Sequence, residues 1–218
     1  MYSLPEAFWY AITWFGDSGL LLPAAVWIAV WLGVRTVTRP IAWRWLVLFG
    51  TAGALVALSK IAFMGWGIGS ATLNFTGVSG HTMLAASVWP VAFWLTAAHC
   101  APRVRFSAAT LGWTFAVLIG LSRLAIFAHS KSEVAAGFAL GAAVSGLFLW
   151  RQHHRPPPRL HWVLLLISIA SPLAFLRPGT PAPTHDVLSV IAVRLAGIER
   201  PFTRDDLLRR RQQRASIE

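Results

Sequence analysis

Two short polar segments stand out in a chain that is otherwise strongly apolar. The first, residues 122–133, reads Ser-Arg-Leu-Ala-Ile-Phe-Ala-His-Ser-Lys-Ser-Glu and lies between two long apolar segments. The second, residues 78–82, reads Val-Ser-Gly-His-Thr and lies upstream. Charged groups at a membrane boundary cost free energy, so their presence usually marks function. We interpret the two segments as parts of one site that processes phosphate at a membrane surface.

The first segment combines three side chains that are suited to phosphoryl chemistry. Arg123 offers a planar fork of donors that fits phosphate oxygens, and His129 can attack phosphorus when a carboxylate orients its ring. Glu133 follows four residues later, which in a helix places it on the face of His129. Simpler roles compete: Arg123 as an anchor that reaches toward headgroups, and Ser130-x-x-Glu133 as a capping box that starts a helix. The capping and orienting roles of Glu133 are compatible.

The second segment has the composition of a helix start that binds an anion. Ser79 is a preferred N-cap residue, and the free N–H groups of a helix N-terminus bind anions. Gly80 lets a ligand approach the backbone closely. The alternative is a plain N-cap followed by His81 at a helix interface. Lys60, near the end of an apolar segment, either reaches to the interface or supplies a cation that, with Arg123, balances a phosphate.

The composition of the chain indicates an integral membrane protein. Of its 218 residues 56% are hydrophobic and only 12% are charged, whereas a soluble domain has about 25% charged residues. The net charge of +11 does not indicate a nucleic-acid-binding protein, because the arginines fall in short loops between apolar segments rather than in one patch. The single cysteine, Cys100, excludes an internal disulfide framework and a cysteine-rich metal site.

The apolar pattern predicts an all-α, polytopic membrane helix bundle with about six transmembrane helices. A spanning helix needs about 20 mostly apolar residues, and we predict spans at 20–34, 43–64, 79–98, 106–127, 132–150 and 161–176. A short interfacial helix at 4–16 precedes them and a Gly-rich loop occupies 65–78. We assign 1–176 to the membrane domain and 177–218 to a basic tail. Apolar positions at helical spacing in 187–198 indicate a surface helix, although a disordered, solvated end is equally compatible with the tail.

The distribution of arginine predicts the orientation in the membrane. The predicted loops 35–44, 99–105 and 151–159 carry most of the cations that precede the tail, so the positive-inside rule places them in the cytoplasm. Both polar segments then face the outside, which for a bacterial inner membrane is the periplasm. The tail conflicts with this rule, because an even number of spans puts its arginines outside as well. Either the last apolar segment does not cross, or the tail is an exception.

The polar residues resemble the motifs of the type 2 phosphatidic acid phosphatase (PAP2) superfamily of membrane lipid phosphatases. The third family motif, S-R-x5-H-x3-D, matches Ser122-Arg123, His129 and Glu133, with Glu in place of Asp. The second motif, P-S-G-H, matches residues 78–81 with Val in place of Pro.

The first family motif, K-x6-R-P, matches only at Lys60, because Gly67-Ile68 stands where Arg-Pro is expected. This departure removes a charge-assisted donor worth about 1.5–3 kcal/mol, unless another arginine enters from elsewhere. The resemblance covers roughly residues 18–176.

The resemblance implies a phosphatase that acts through a phosphohistidine. His129 resembles the nucleophile, Glu133 its orienting carboxylate, and His81 the acid that protonates the leaving oxygen and then activates water. The remaining residues resemble a phosphate cradle: Lys60, Ser79, Gly80, Ser122 and Arg123. The family implies neither a metal nor a cofactor. The expected partners are membrane lipids, and the expected substrate is a lipid phosphate such as undecaprenyl pyrophosphate, phosphatidate, phosphatidylglycerol phosphate or a lipid A phosphate.

Three alternatives share this scaffold. A phosphotransferase would pass the phosphoryl group from His129 to a second lipid. A binding or transport protein would keep the cradle without turnover. A vanadate-dependent oxidase is less favoured, because relatives of that kind are mostly soluble.

Overall fold

The computed structural model describes residues 5–152 and 183–215, together with the single positions Leu166 and Ala170. The helices are α1 (Glu6–Trp14), α2 (Ser18–Val34), α3 (Arg39–Trp66), α4 (Gly80–Thr96), α5 (Pro102–Ala125), α6 (Lys131–Gln152), α7 (Thr184–Ala196) and α8 (Arg204–Ala215). In the described residues the regular structure is helical apart from one isolated antiparallel bridge between Ser70 and Phe75. The predicted all-α membrane helix bundle is confirmed.

Four stretches of the described chain are long and apolar enough to cross a membrane: Glu6–Val34, Arg39–Trp66, Pro102–Ala125 and Lys131–Gln152. The first of them joins α1 and α2, which a break at 15–17 separates. The predicted interfacial helix at 4–16 and span at 20–34 imply such a break, and the structure begins α2 at Ser18. Helix α4 has 17 residues, at the lower end of the usual range of about 17–25 for a span. The predicted sixth span, 161–176, lies outside the described residues, apart from two single positions.

Two of the predicted arginine loops are wrong in their extent. Arg39 and Arg44 lie within α3, and Arg103 and Arg105 lie within α5. In each helix a proline occupies the first turn, where its missing N–H costs nothing and its fixed φ suits the helix. The prolines therefore start these helices, and the sequence prediction had placed them in loops.

Helix α4 is the centre of the bundle. Nearly every residue from Thr82 to Leu95 is buried, and α4 packs against α2, α3, α5 and α6. A helix that is apolar all round is expected to be enclosed in this way. Tryptophan N–H groups tie the surrounding helices together: Trp45 Nε1 donates to Ala25 O over 3.2 Å and Trp113 Nε1 donates to Ser145 Oγ over 2.9 Å.

The outer faces of α2, α3 and α5 carry large exposed apolar side chains. They include Leu22, Val26, Val30, Val47, Leu55, Leu58, Leu111, Val117 and Leu121. Such a continuous apolar surface is not found on soluble monomers. It is the surface that a bilayer would cover.

Both polar segments lie at one end of the bundle. Ser79 N–H donates to Glu133 O over 3.1 Å, which joins the start of α4 to the start of α6. Helices α7 and α8 pack at the same end, because Arg204 at the start of α8 contacts Glu133. The tail whose position the charge pattern left open therefore shares the end of the bundle that carries the polar segments.

Helices α4 and α6 touch through glycines, which gives a test of the packing. A Cβ atom at Gly141 would overlap the backbone oxygen of Met83 and lie 2.8 Å from Ala86 Cβ. We expect Gly141→Ala to lower the free energy of unfolding by about 1–3 kcal/mol, the usual cost of overpacking. Thermal unfolding in detergent measures it. Gly146→Ala on the same helix is the control, since a Cβ there meets nothing within 4 Å; an equal loss in both variants would contradict the packing.

Candidate active site

The turn between α5 and α6 holds His129 in place. The N–H groups of Ala128 and His129 both donate to Arg123 O, over 3.0 and 3.2 Å. A capping box then starts α6: Ser130 N–H donates to Glu133 Oε2 over 3.0 Å, and Glu133 N–H donates to Ser130 Oγ over 3.3 Å. His129 therefore precedes the helix instead of sharing a helical face with Glu133, and the capping box aims the carboxylate back at the imidazole.

His129 and Glu133 form a hydrogen-bonded pair. His129 Nδ1 lies 2.7 Å from Glu133 Oε2, with 13% of the histidine side chain exposed and none of the glutamate side chain. Glu133 also accepts from Thr76, over 2.7 Å from the N–H and 2.6 Å from the hydroxyl. The backbone N–H groups of Thr76 and Ser130 can only donate hydrogen bonds, so the carboxylate of Glu133 is the acceptor in these contacts. Nδ1 therefore carries the proton, and Nε2 keeps its lone pair. Glu133 thus caps α6 and contacts the imidazole of His129, and its catalytic role stays a prediction.

The surroundings of His129 favour its neutral form. Burial lowers the pKa of His129 below its usual value, a shift that the hydrogen bond with Glu133 opposes and that the charges of Lys60 and Arg123 reinforce. A neutral imidazole is the form that can attack an electrophile. The same two cations that would attract a phosphate therefore add to burial in favouring the neutral imidazole of His129.

Arg123 and Lys60 supply the positive charge of the site. Arg123 Nη1 donates to Thr13 Oγ1 over 2.9 Å, whereas the buried Nε has no hydrogen-bond partner among the described residues. Lys60 is half-buried near the end of α3 and interacts electrostatically with both Arg123 and Glu133. A buried guanidinium donor without an acceptor is costly unless a ligand satisfies it. This geometry favours the cradle role of Arg123 over the role of a headgroup anchor.

His81 has a carboxylate partner that the sequence analysis did not assign to the site. His81 Nε2 lies 3.5 Å from Asp17 Oδ2, while Asp17 Oδ1 caps α2 by accepting from Gly19 N–H over 2.7 Å. Asp17 is almost fully buried. It therefore links the start of α2 to the start of α4 and holds the His81 ring. The signal was present in the sequence, because a carboxylate between two apolar segments is rarely accidental.

The three remaining predicted cradle residues lie at the same end of the bundle. Gly80 is the first residue of α4, where backbone N–H groups lack a partner within the helix. Ser79 and Ser122 are fully buried. Ser79 Oγ pairs with Thr82 Oγ1 over 3.0 Å, and Ser122 Oγ donates to Ile119 O over 2.6 Å. Phosphate binding by Ser79, Gly80 and Ser122 stays a prediction.

A second residue that sequence reasoning missed is Arg204, from the tail. Its Nη2 lies 2.9 and 2.8 Å from the two carboxylate oxygens of Glu133. No local pattern marks this residue. The sequence offered only an indirect indication: the arginine of the first family motif is missing at position 67, and the tail is rich in arginine.

The described part of the chain contains no group of three or more His, Cys, Asp and Glu side chains that could hold a metal ion. The predicted independence from metal is a matter for experiment. His81 and His129 each face a carboxylate, Asp17 and Glu133.

Comparisons with known proteins bear on the fold and family of the chain. No family model matches the chain. A 22.5 kDa protein from the cps region of Klebsiella pneumoniae, described as uncharacterized, is 44% identical over 202 residues, which cover 91% of this chain and 97% of the relative.

Among solved structures, the crystal structure of a transmembrane PAP2-type phosphatidylglycerolphosphate phosphatase from Bacillus subtilis superposes with a TM-score of 0.52. The match has 26% sequence identity and covers 72% of this chain and 79% of the phosphatase. This chain therefore belongs to the same family as the Klebsiella cps-region protein and shares the fold of a transmembrane PAP2-type phosphatase.

Proposed function

We propose that the protein is a membrane lipid phosphatase that hydrolyses a lipid phosphomonoester or pyrophosphate through a phosphohistidine. The observation that carries this proposal is the 2.7 Å pair of His129 and Glu133, with the charges of Lys60 and Arg123 acting on the histidine. The structural similarity to a PAP2-type phosphatidylglycerolphosphate phosphatase supports it. Polar side chains concentrated in this way at one end of an apolar bundle indicate chemistry rather than packing.

The chemistry proceeds in two steps. Nε2 of His129 attacks phosphorus and forms a P–N bond while the P–O bond to the lipid breaks, and His81 gives a proton to the leaving oxygen. Water then attacks phosphorus, the electron pair of the P–N bond returns to Nε2, and the neutral His81 accepts the proton of the water. Glu133 holds Nδ1–H throughout, so that Nε2 faces the reaction with its lone pair.

Charge and helix geometry would stabilise the phosphoryl group during both steps. Arg123 has a buried Nε–H without an acceptor in the described part of the chain, and Lys60 lies within electrostatic reach of it. The N–H groups at the start of α4 point toward the same end of the bundle. Preorganised donors of this kind act on the charge that develops on phosphate oxygens.

The membrane supplies the rest of the substrate site. The exposed apolar faces of α2, α3 and α5 would contact acyl or prenyl chains. Candidate substrates are undecaprenyl pyrophosphate, phosphatidate, phosphatidylglycerol phosphate and lipid A phosphates. The opposite end of the bundle carries Arg35, Arg39, Arg44, Arg103, Arg105 and Arg151. Counted over the connections between the membrane-spanning helices alone, the positive-inside rule puts this end in the cytoplasm, and the site would face the periplasm of a bacterial inner membrane. The arginines of α7 and α8 lie at the site end and run against the rule.

Release of inorganic phosphate from a lipid in the presence of EDTA tests the proposal. We expect the purified protein in detergent to release phosphate from undecaprenyl pyrophosphate or phosphatidate without added metal, because His129 and not a metal-bound water is the nucleophile. Loss of activity on chelation, restored by a divalent ion, would contradict the metal-free mechanism. Phosphate transfer only when an acceptor lipid is added would replace hydrolysis with transfer. Tight lipid-phosphate binding without turnover would indicate a binding protein.

A further inference from the structure

The tail is built into the bundle through α3. The helix α7 places Ala192, which is fully buried, against Phe63 and Met64. Helix α3 approaches closely there, because a Cβ at Gly65 would lie 3.3 Å from Ala192 O. Beyond α7 the backbone N–H of Phe202 donates to Met64 O over 2.8 Å. The segment that follows Phe202 is thereby anchored at the site end of α3.

A second capping box fixes the start of α8. Asp206 Oδ2 accepts from the N–H and hydroxyl of Thr203, over 2.9 and 2.8 Å, and Asp206 N–H donates to Thr203 Oγ1 over 3.3 Å. Arg200 also holds Asp206 with two hydrogen bonds, of 2.9 and 3.1 Å. Arg204 is the first residue of the helix that this box starts, so its direction is set by local structure.

Arg204 uses its donors on the protein itself. Nη2 contacts both oxygens of Glu133 and, over 3.3 Å, the hydroxyl of Thr76. Nη1 donates to the carbonyl and side-chain oxygens of Asn74 over 2.8 and 2.7 Å. With both terminal nitrogens engaged, Arg204 is not placed to hold a phosphate. It joins the loop before α4 to the carboxylate that orients His129.

The departure from the first family motif lies at the same place. Gly67 has a φ of 69°, and a Cβ there would lie 2.9 Å from Arg210 Nη1 and 3.5 Å from a ring carbon of Phe202. A side chain at position 67 would therefore meet the tail, and the left-handed φ also favours glycine. The missing side chain at 67 leaves room for the tail that brings in Arg204.

We infer that Arg204 is a positioning residue of the active site: it holds the buried Glu133 carboxylate ionised and oriented toward His129. This inference rests on the proposed function. Glu133 is completely buried, and a buried carboxylate is tolerated only when it is paired and hydrogen-bonded. Arg204 Nη2 contacts both carboxylate oxygens, and hydrogen bonds between ionised groups are stronger than those between neutral groups. The tail is then a structural part of the catalytic apparatus.

The test compares Arg204→Ala and Arg204→Lys with Arg211→Ala in the full chain. Arg211 is the matched control, because it lies on the same helix and contacts the same loop, through Ala71 O over 3.3 Å, without touching Glu133. We expect Arg204→Ala to lower kcat for phosphatidate hydrolysis about 10–100-fold, the range known for residues that orient metal ligands from the outer shell, with KM little changed. Arg204→Lys should restore part of kcat, and Arg211→Ala should resemble the wild type.

A double-mutant comparison separates positioning from folding. If Arg204 acts through Glu133, then Arg204→Ala in a Glu133→Gln background causes little further loss of kcat, because coupled residues are not additive. Multiplying losses, or an Arg204→Ala variant as active as Arg211→Ala, would overturn the inference and leave the phosphatase function intact. A wild-type protein that releases no phosphate from any lipid would overturn the proposed function, and the positioning role with it.

Discussion

Replacing His129 with alanine is expected to abolish phosphate release, with kcat falling by at least about 10³-fold. His81, the other histidine of the candidate site, does not replace it, because His81 lies on α4 with Asp17 as its partner. Without Nε2 of His129 no P–N bond can form. The measurement is phosphate release from undecaprenyl pyrophosphate, together with trapping of acid-labile phosphoprotein after rapid mixing with labelled substrate.

The control for this variant is His99→Ala. His99 is exposed and follows the end of α4, away from the polar segments, so its loss removes an imidazole without touching the site. We expect the control to keep wild-type kcat and to form the same labelled phosphoprotein. A His129→Ala protein that still carries label, or still turns over at more than a few per cent of the wild-type rate, would show that another group attacks phosphorus.

The pair of His129 and Glu133 was predictable because it is local. The two residues are four positions apart, and the capping box that brings Glu133 to His129 is itself a sequence pattern. The prediction erred only in placing both on a helix, since His129 lies in the preceding turn. The predicted contact between the two side chains is present despite this error, because the carboxylate of a capping box points back along the chain.

The contacts of Asp17 and Arg204 could not be predicted in the same way. Arg204 and Glu133 are 71 residues apart, and their contact depends on how α7 packs on α3. Sequence periodicity predicted a helix near 187–198 and the structure has α7 at Thr184–Ala196, but periodicity carries no information about its partner. In the sequence Asp17 marked only a break between helices. Its contact with His81 depends on how the starts of α2 and α4 pack together.

The membrane bundle was predictable from composition, and its helix ends were less so. Long apolar segments dictate helices, because backbone polar groups in lipid must be satisfied within the segment. Arginine and proline at 39–40 and 102–103 suggested loops, yet the structure continues both helices through them. Proline is common in the first turn of a helix and also just after a helix ends. The proline alone therefore did not tell whether the helix lies before it or after it.

Replacing His81 with asparagine is expected to lower kcat for lipid substrates by about 10²–10⁴-fold, the usual contribution of a general acid–base group, and to change which step limits the rate. With a lipid substrate both steps need His81. With an aryl phosphate the leaving phenolate needs no proton, so His129 can still be phosphorylated and only hydrolysis of the P–N bond is slow. We therefore expect the variant to release one equivalent of phenolate in a burst and then to stall.

The step assignment can be checked against Asp17→Asn. Asp17 faces His81 over 3.5 Å, so replacing its carboxylate with an amide should weaken the acid–base role of His81 while leaving nucleophilic attack by His129 intact. It should show the same burst as His81→Asn with a smaller loss of kcat, and His129→Ala should show no burst at all. If His81→Asn slows the first turnover of the aryl phosphate as much as later ones, His81 binds the phosphate and does not transfer protons, because a lost ligand weakens both steps equally.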